Sequence, residues 1–273
     1  MRIVRAAAII LLVISIGVYA AGAVKERMDA DPTYPVITSD REVLELSVDY
    51  TEEDLLAGLT AWDERDGDLT GQIMAGEFSR FTRKGVCSVT YVVFDSSGQA
   101  STLSRQVEFT DYESPRLTLS RPLVFYEGET EYASRYLGAS DLMDGDLSSL
   151  VLTEDSDVNY QTAGTYFVDV EVSNSFGDVE EQTLPVHILR EDSLELSIML
   201  TENLVYLETG EEFSPEDYIL SLTDSRLEEL DSELVRAQSY VNSREPGCYE
   251  VRYYAEDEDG RIGETWQIVI VRE

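Results

Sequence analysis

The chain has 273 residues, a length that allows one to three domains, and sets 55 Asp+Glu against 20 Lys+Arg for a formal net charge of −35. A surface of that sign repels nucleic acid and anionic lipid headgroups, so neither is an expected partner. At the N-terminus, Arg2 and Arg5 precede an apolar run from Ala6 to Val24, about the length that spans a bilayer as a helix. Residues 1–24 therefore read as an export signal. Ala21-Gly22-Ala23 fits a small-x-small cleavage site of a removed signal peptide. The length of the run, with no helix breaker between Ile9 and Ile16, favours a retained signal-anchor helix. The expected placement is a single pass through the cell membrane with extracellular C-terminal domains, and secretion is the alternative.

Residues 25–33 are polar and form a short tether. The first domain is expected over 34–110, beginning with extended stretches at Val36-Ile37-Thr38 and Val43 to Val48, a helical turn at Glu52 to Leu56 and a strand from Gly58 to Trp62. Then comes Gly85 to Gly98 (GVCSVTYVVFDSSG), which returns as Gly164 to Gly177 (GTYFVDVEVSNSFG) and Gly247 to Gly260 (GCYEVRYYAEDEDG), at spacings of 79 and 83 residues. Recurrence at a near-fixed period is the signature of tandem units, which places a second domain at 114–189 and a third at 193–272. The connectors, Asp111-Tyr112-Glu113 and Arg190-Glu191-Asp192, are short enough to predict a semi-rigid rod.

Each copy alternates with the period of two of a half-buried strand. Cys87, Val89, Tyr91 and Val93 share one face, as do Tyr166, Val168, Val170 and Val172, and Tyr249, Val251, Tyr253 and Ala255. Asp95, Asn174 and Asp257 then open a turn, because a short polar side chain can bond the backbone two residues on. Gly98, Gly177 and Gly260 supply a residue that tolerates positive φ. A return strand follows, as at Arg105 to Phe109 and Trp266 to Val271, so a hairpin closes every unit. Beyond the N-terminal run and the helical turn at Glu52 to Leu56, the segment Leu220 to Leu234 is a candidate for a short helix. The fold class is all-β, three tandem β-sandwiches after an N-terminal hydrophobic helix.

Ala61-Trp62-Asp63-Glu64-Arg65-Asp66-Gly67-Asp68-Leu69-Thr70 and Ala139-Ser140-Asp141-Leu142-Met143-Asp144-Gly145-Asp146-Leu147-Ser148 match as A-x-D-x-x-D-G-D-L-[ST]. With the glycine-led strand that follows, the chain resembles the bacterial immunoglobulin-like repeats of exported Gram-positive proteins, of the type found in an insecticidal crystal protein. The resemblance runs from about Tyr34 to the end. It weakens in the third unit, where the loop reads Leu222-Thr223-Asp224-Ser225-Arg226-Leu227-Glu228-Glu229-Leu230-Asp231. It implies Ig-like β-sandwiches, export and no catalysis.

Asp63, Asp66 and Asp68, and Asp141, Asp144 and Asp146 with Asn174, are hard oxygen ligands spaced around a glycine, which makes calcium the candidate ion. In an Ig-like topology the second set, beside Asp111 and Glu113, would let a cation stiffen a domain junction. The competing reading is Asx turns on a solvated loop, since D-G-D lacks the twelve-residue EF-hand pattern. Cys87 reads as a buried small hydrophobe and Cys248 as a surface thiol, with no disulfide between them. His187 stands alone in a strand-like run and reads as structural. Tyr126, Tyr132 and Tyr136 could form a sugar platform, but core and sheet-edge packing is the commoner use of tyrosine. No G-x-S-x-G, H-E-x-x-H, Walker or Rossmann motif is present. The expected function is a non-catalytic cell-surface spacer or interaction module, tied to the membrane by its N-terminal helix, with an unidentified surface protein or glycan as partner. The alternative is an adhesin that binds glycan or protein, with calcium.

Overall fold

The computed structural model describes residues 12, 14–22, 32–190 and 194–273. Beyond the helical residues near the N-terminus, the described chain is all-β and folds into six sheets. Two compact units contain them, Met1–Asp111 and Tyr112–Glu273.

The first unit holds β1 (Val36–Ser39), β2 (Val43–Leu46), β3 (Leu59–Asp63), β4 (Gly67–Asp68), β5 (Met74–Phe78), β6 (Val86–Phe94) and β7 (Ala100–Phe109). They form a three-stranded sheet β1-β3-β4 and a four-stranded sheet β2-β7-β6-β5, in which β2 runs parallel to β7. The alternation expected of β6 is complete: Cys87, Val89, Tyr91 and Val93 are all buried. Burying each such side chain contributes about 1.5–3 kcal/mol. A one-turn helix at Glu52–Leu56 follows β2, held by a capping box between Thr51 and Asp54. It ends under the buried guanidinium of Arg105, which donates to the carbonyls of Leu55 and Ala57 and to the Tyr91 hydroxyl.

The second unit holds two sets of seven strands in the same order. The first set is β8 (Arg116–Leu119), β9 (Val124–Tyr126), β10 (Leu137–Asp141), β11 (Gly145–Asp146), β12 (Leu152–Ser156), β13 (Gly164–Ser173) and β14 (Val179–Leu189). The second is β15 (Leu196–Leu200), β16 (Leu204–Glu208), β17 (Ile219–Asp224), β18 (Glu229–Leu230), β19 (Arg236–Ser239), β20 (Gly247–Glu256) and β21 (Ile262–Arg272). Their sheets are β11-β10-β8 with β12-β13-β14-β9, and β15-β17-β18 with β16-β21-β20-β19. The strand β9 is parallel to β14, and β16 is parallel to β21. For brevity the three seven-strand sets are called repeats one, two and three.

Repeats two and three share a core. Leu204, Ile268 and Ile270 of repeat three lie in the same buried cluster as Leu117, Leu184 and Ile188 of repeat two, with Tyr206 and Cys248 packed against it. Cys248 is thus half-buried rather than a surface thiol. Its position on the outward face of β20 was legible, but a second repeat covers that face. Burial pushes its thiol up to about 12, reinforced by Glu250, and burial alone pushes Cys87 up to about 11. Around the shared cluster, Tyr206 Oη accepts from Leu117 N at 2.8 Å, and Arg272 bridges Glu180 at 3.0 Å and the Pro115 carbonyl at 2.6 Å. His187 stacks on Trp266 at 4.0 Å and meets Glu250 at 2.5 Å.

Two further expectations are corrected. Leu220 to Leu234 is not a helix: β17, β18 and a 3-10 turn at Ser232–Leu234 occupy it, with the buried Leu222 paired to Ile198 on one side and to Leu230 on the other. The single-pass anchor is also withdrawn: among the described residues no helix is long and apolar enough to cross a membrane. Of the Ala6 to Val24 run, residue 12 and residues 14–22 are helical and exposed, and the remainder lies outside the described residues. So do most of the expected tether and residues 191–193 of the second connector.

Candidate functional site

The most chemically loaded feature recurs once per repeat, where the loop after the second strand of the small sheet meets the turn of the closing hairpin. In each repeat two side chains, one from each element, hold both pieces of backbone. In repeat one Asp63 Oδ1 accepts from the N–H groups of Arg65 and Asp66, and Asp95 Oδ1 accepts from those of Ser97 and Gln99. In repeat two Asp141 Oδ1 accepts from Met143 and Asp144, and Asn174 Oδ1 from Phe176 and Asp178. In repeat three Asp224 Oδ1 accepts from Arg226 and Glu228, and Asp257 Oδ1 from Asp259 and Arg261. These are Asx turns, and they explain why the sequence keeps a short acid or amide there. The glycines Gly98, Gly177 and Gly260 close the hairpin turns at φ 84, 80 and 79°, as the sequence predicts.

With Oδ1 occupied in all six, the second polar atom of each side chain points inward, and the three repeats satisfy it differently. In repeat three Arg261 lies between the carboxylates, 3.2 Å from Asp224 Oδ2 and 2.6 Å from Asp257 Oδ2. The backbone N–H groups of Glu228 and Arg226, and then Arg261, hold the Asp224 carboxyl below its ordinary 3.8 against the opposing effect of burial. For Asp257 burial pushes upward, but the Arg261 backbone and guanidinium outweigh it and the net direction is down. In repeat two one carboxylate is replaced. Asn174 Nδ2 donates to Asp141 Oδ2 at 3.1 Å and to Tyr112 Oη at 2.7 Å, and Tyr112 donates to Asp178 at 2.8 Å. Burial first, then Asp178, pushes the Tyr112 hydroxyl well above its ordinary range. In repeat one both members are aspartates. Asp63 is 1% exposed and its Oδ2 has no hydrogen-bond partner.

The other acids singled out in the sequence have defined uses. Asp66 accepts from Ser96 N and Oγ, and Asp144 from Ser175 N and Oγ, tying the two loops together. Asp68 caps Thr70 and Asp146 caps Ser148, and those hydrogen bonds lower both carboxyls. Asp111 is engaged by Ser47 Oγ and Val48 N, and Glu113 by Arg116. Among the described residues no group of three or more His, Cys, Asp or Glu converges as ion ligands. Of the three tyrosines, Tyr136 packs under Arg121 and beside Phe125, Tyr126 is half-buried, and Tyr132 is exposed with its edge on Tyr160.

A second feature escaped the sequence reading. On the outer face of β1 and β3, Tyr34, Val36 and Trp62 are 65%, 57% and 61% exposed. Thr38 and Thr60, joined at 2.7 Å, and Glu64 complete the rim of a shallow recess. Trp62 occupies the variable position of the acidic-loop motif, filled by Ser140 and Thr223 in the other repeats.

Strand topology defines the class: an all-β chain of Ig-like sandwiches with repeat-like structure. No family model matches it. It is similar to the pesticidal crystal protein Cry22Aa of Bacillus thuringiensis, 27% identical over 233 residues that cover 73% of this chain and 31% of that protein. It is also similar to an uncharacterized 81.3 kDa protein of Acholeplasma phage L2, 28% identical over 138 residues, 50% of this chain and 18% of that one. The chain thus spans less than a third of the length of the curated relatives it matches. Among solved structures, a Clostridium perfringens ZmpB fragment with an M60 catalytic domain and two CBM51 domains aligns at a TM-score of 0.24 and 13% identity, covering 89% of this chain and 31% of that one. Human CDH23 EC21-23 aligns at 0.23 and 13%, covering 88% of this chain and all of that one, 100%.

Proposed function

We propose that the chain is an exported, non-catalytic interaction module or spacer built from three copies of one Ig-like repeat. The observation that carries this reading is how the polar groups are used. The buried carboxylates, the histidine and the arginines with the greatest potential for chemistry hold turns, or hold repeat two to repeat three. A sandwich pair fastened through one buried cluster presents its loops at a fixed geometry, which serves a protein that positions something else. The test is limited proteolysis of the full chain. Under the proposal 112–273 survives as one resistant fragment, and cleavage that separates repeat two from repeat three first would refute a fixed pair.

The adhesin reading is favoured by one observation, the Tyr34, Val36 and Trp62 face. A flat exposed indole beside hydroxyls and a carboxylate suits a pyranose, whose C–H face stacks on the ring while its hydroxyls reach the rim. Saturable binding of the chain to a glycan panel, weakened at least tenfold by Trp62→Ala with the fold unchanged, would select this reading over the passive spacer. Unsaturable binding would remove it.

A further inference from the structure

We infer that the Tyr34, Val36 and Trp62 face of repeat one selects a glycan bearing a free amine, through the carboxylate of Glu64. The inference rests on the glycan reading above and adds to it the charge of the sugar. Strand register shows that the fold does not require an apolar face here. Val36 lies opposite Trp62, and the same paired positions hold Arg116 opposite Ser140 in repeat two and Ser197 opposite Thr223 in repeat three. The same small sheet thus forms with polar residues at these positions, while repeat one places apolar side chains there and leaves them exposed. The Trp62 indole reaches across to Gly67, where an added Cβ would stand 3.9 Å from Cη2, so the ring lies along the sheet with a face left to solvent.

The charge preference follows from the rim. Glu64 stands two residues after Trp62, about 7 Å along an extended chain, and lines the same recess. A single pyranose with its ring substituents spans that distance. Glu64 is exposed and makes no hydrogen bond or ion pair among the described residues, and no Lys, Arg or His lines the recess. Its place in the motif is taken by Leu142 and Ser225 in the other repeats. In a chain of net charge −35 an acidic sugar and a second copy of the chain are both repelled. An ammonium on the stacked ring is attracted instead, and donates a charge-assisted hydrogen bond to Glu64. The Thr38 and Thr60 hydroxyls, bonded to each other, keep one donor and further lone pairs for the hydroxyls of the sugar.

Calorimetric titration of the full chain tests this, with β-1,4-linked glucosamine tetramers, their N-acetylated counterparts and hexuronate tetramers, at about pH 6 where a sugar amine keeps its proton. The amine tetramer should bind at a single site about fivefold tighter than the acetylated one, and the uronate should not bind. Glu64→Gln should bring the first two to within about twofold of each other, and Trp62→Ala should abolish both. Both side chains are exposed, so neither change should move the melting temperature appreciably. Glu154→Gln, in repeat two, removes the same charge elsewhere and should leave the preference intact. Equal binding of amine and acetylated tetramers, lost in Trp62→Ala, overturns the inference and leaves the glycan reading standing. No binding of any tetramer overturns both. Amine binding that survives Trp62→Ala, or that falls as far with Glu154→Gln as with Glu64→Gln, is attraction to net charge alone and overturns the inference. An arginine-rich peptide that binds through Trp62 more tightly than the amine tetramer also overturns it, in favour of a basic peptide.

Discussion

The closing strands of repeats one and three, β7 and β21, begin from the same place in the topology and end in different surroundings. Each forms a hairpin with the strand before it and a parallel pair with the edge strand, Gln106 opposite Val43 in one and Ile268 opposite Leu204 in the other. The outward positions of β7 read Ser104, Gln106, Glu108, and exposure alternates along the strand. Those of β21 read Trp266, Ile268, Ile270, and five consecutive residues from Gln267 to Val271 are buried. An antiparallel hairpin shows a clean alternation only while one face meets water. When a second layer covers that face, the pattern becomes a continuous apolar run. The difference marks where one sandwich ends at solvent and where two have become one unit.

The sharpest way to break that comparison is to truncate the paired positions. Ile268→Ala removes buried methyl groups from the cluster shared by repeats two and three and should cost about 2–5 kcal/mol. Gln106→Ala at the equivalent exposed position should stay within about 0.5 kcal/mol. Denaturant unfolding measures both. Because the cluster belongs to both repeats, Ile268→Ala should lower the whole 112–273 transition, and a melt in which repeat two keeps its midpoint would break the shared-core description.

The next effect falls on the charged locus. Arg261→Gln removes the guanidinium that lies between the two inward carboxylates of repeat three, Asp224 and Asp257. The Asp224 carboxyl is held below 3.8 in the folded protein, so the stability it contributes is complete above the unfolded value and is lost as pH falls through the folded one. Without Arg261 that folded value rises. The variant should melt lower at neutral pH, and its acid-side loss should begin at higher pH than in the wild type. Melting temperature followed from about pH 7 to pH 3 measures this.

Thiol reactivity then reports on the covered face. With Cys248 pushed up to about 12 and Cys87 to about 11 by burial, neither supplies thiolate at pH 8, and modification of the native chain should run at least ~100-fold slower than that of the unfolded chain. Fast modification of Cys248 alone would mean that repeat three leaves repeat two readily.

How far the sequence shows all this varies by feature. The burial of Cys87, Val89, Tyr91 and Val93 and the glycine turns were legible because local geometry dictates them: a period of two, and a residue that must take positive φ. The run Gln267 to Val271 was visible but was read as one more return strand, since one strand cannot show what covers its second face. Leu220 to Leu234 misled because its apolar spacing fits a helix and a strand pair alike, and the β17–β18 pairing decides between them. The carboxylate pairs were half-visible. Asp63 and Asp95 are 32 residues apart, and their meeting is a product of the topology. Once the repeats are aligned, the change from Gln99 to Asp178 to Arg261 is the signal that the residue after the turn glycine changes role: Arg261 lies between two carboxylates, whereas Asp178 accepts from Tyr112.

The smallest effect concerns the loop in which repeat three departs from the acidic motif. Repeats one and two turn there through Gly67 and Gly145 at φ 76 and 74°, whereas repeat three has lost the glycine and turns through Leu227 at φ 63°. An L-residue with a branched side chain in the left-handed region costs roughly 1–2 kcal/mol, and Leu227, 82% exposed, gains nothing from burial. Leu227→Gly relieves that cost but frees the unfolded chain, which returns about 0.4–1 kcal/mol of the gain. The net expectation is stabilisation of up to about 1 kcal/mol, read as a small upward shift of the midpoint with an unchanged slope. The reverse change in repeat one, Gly67→Leu, should cost at least as much as Leu227→Gly gains. If both changes were neutral, the left-handed residue would not limit either loop, and the loss of glycine in repeat three would carry no energetic meaning.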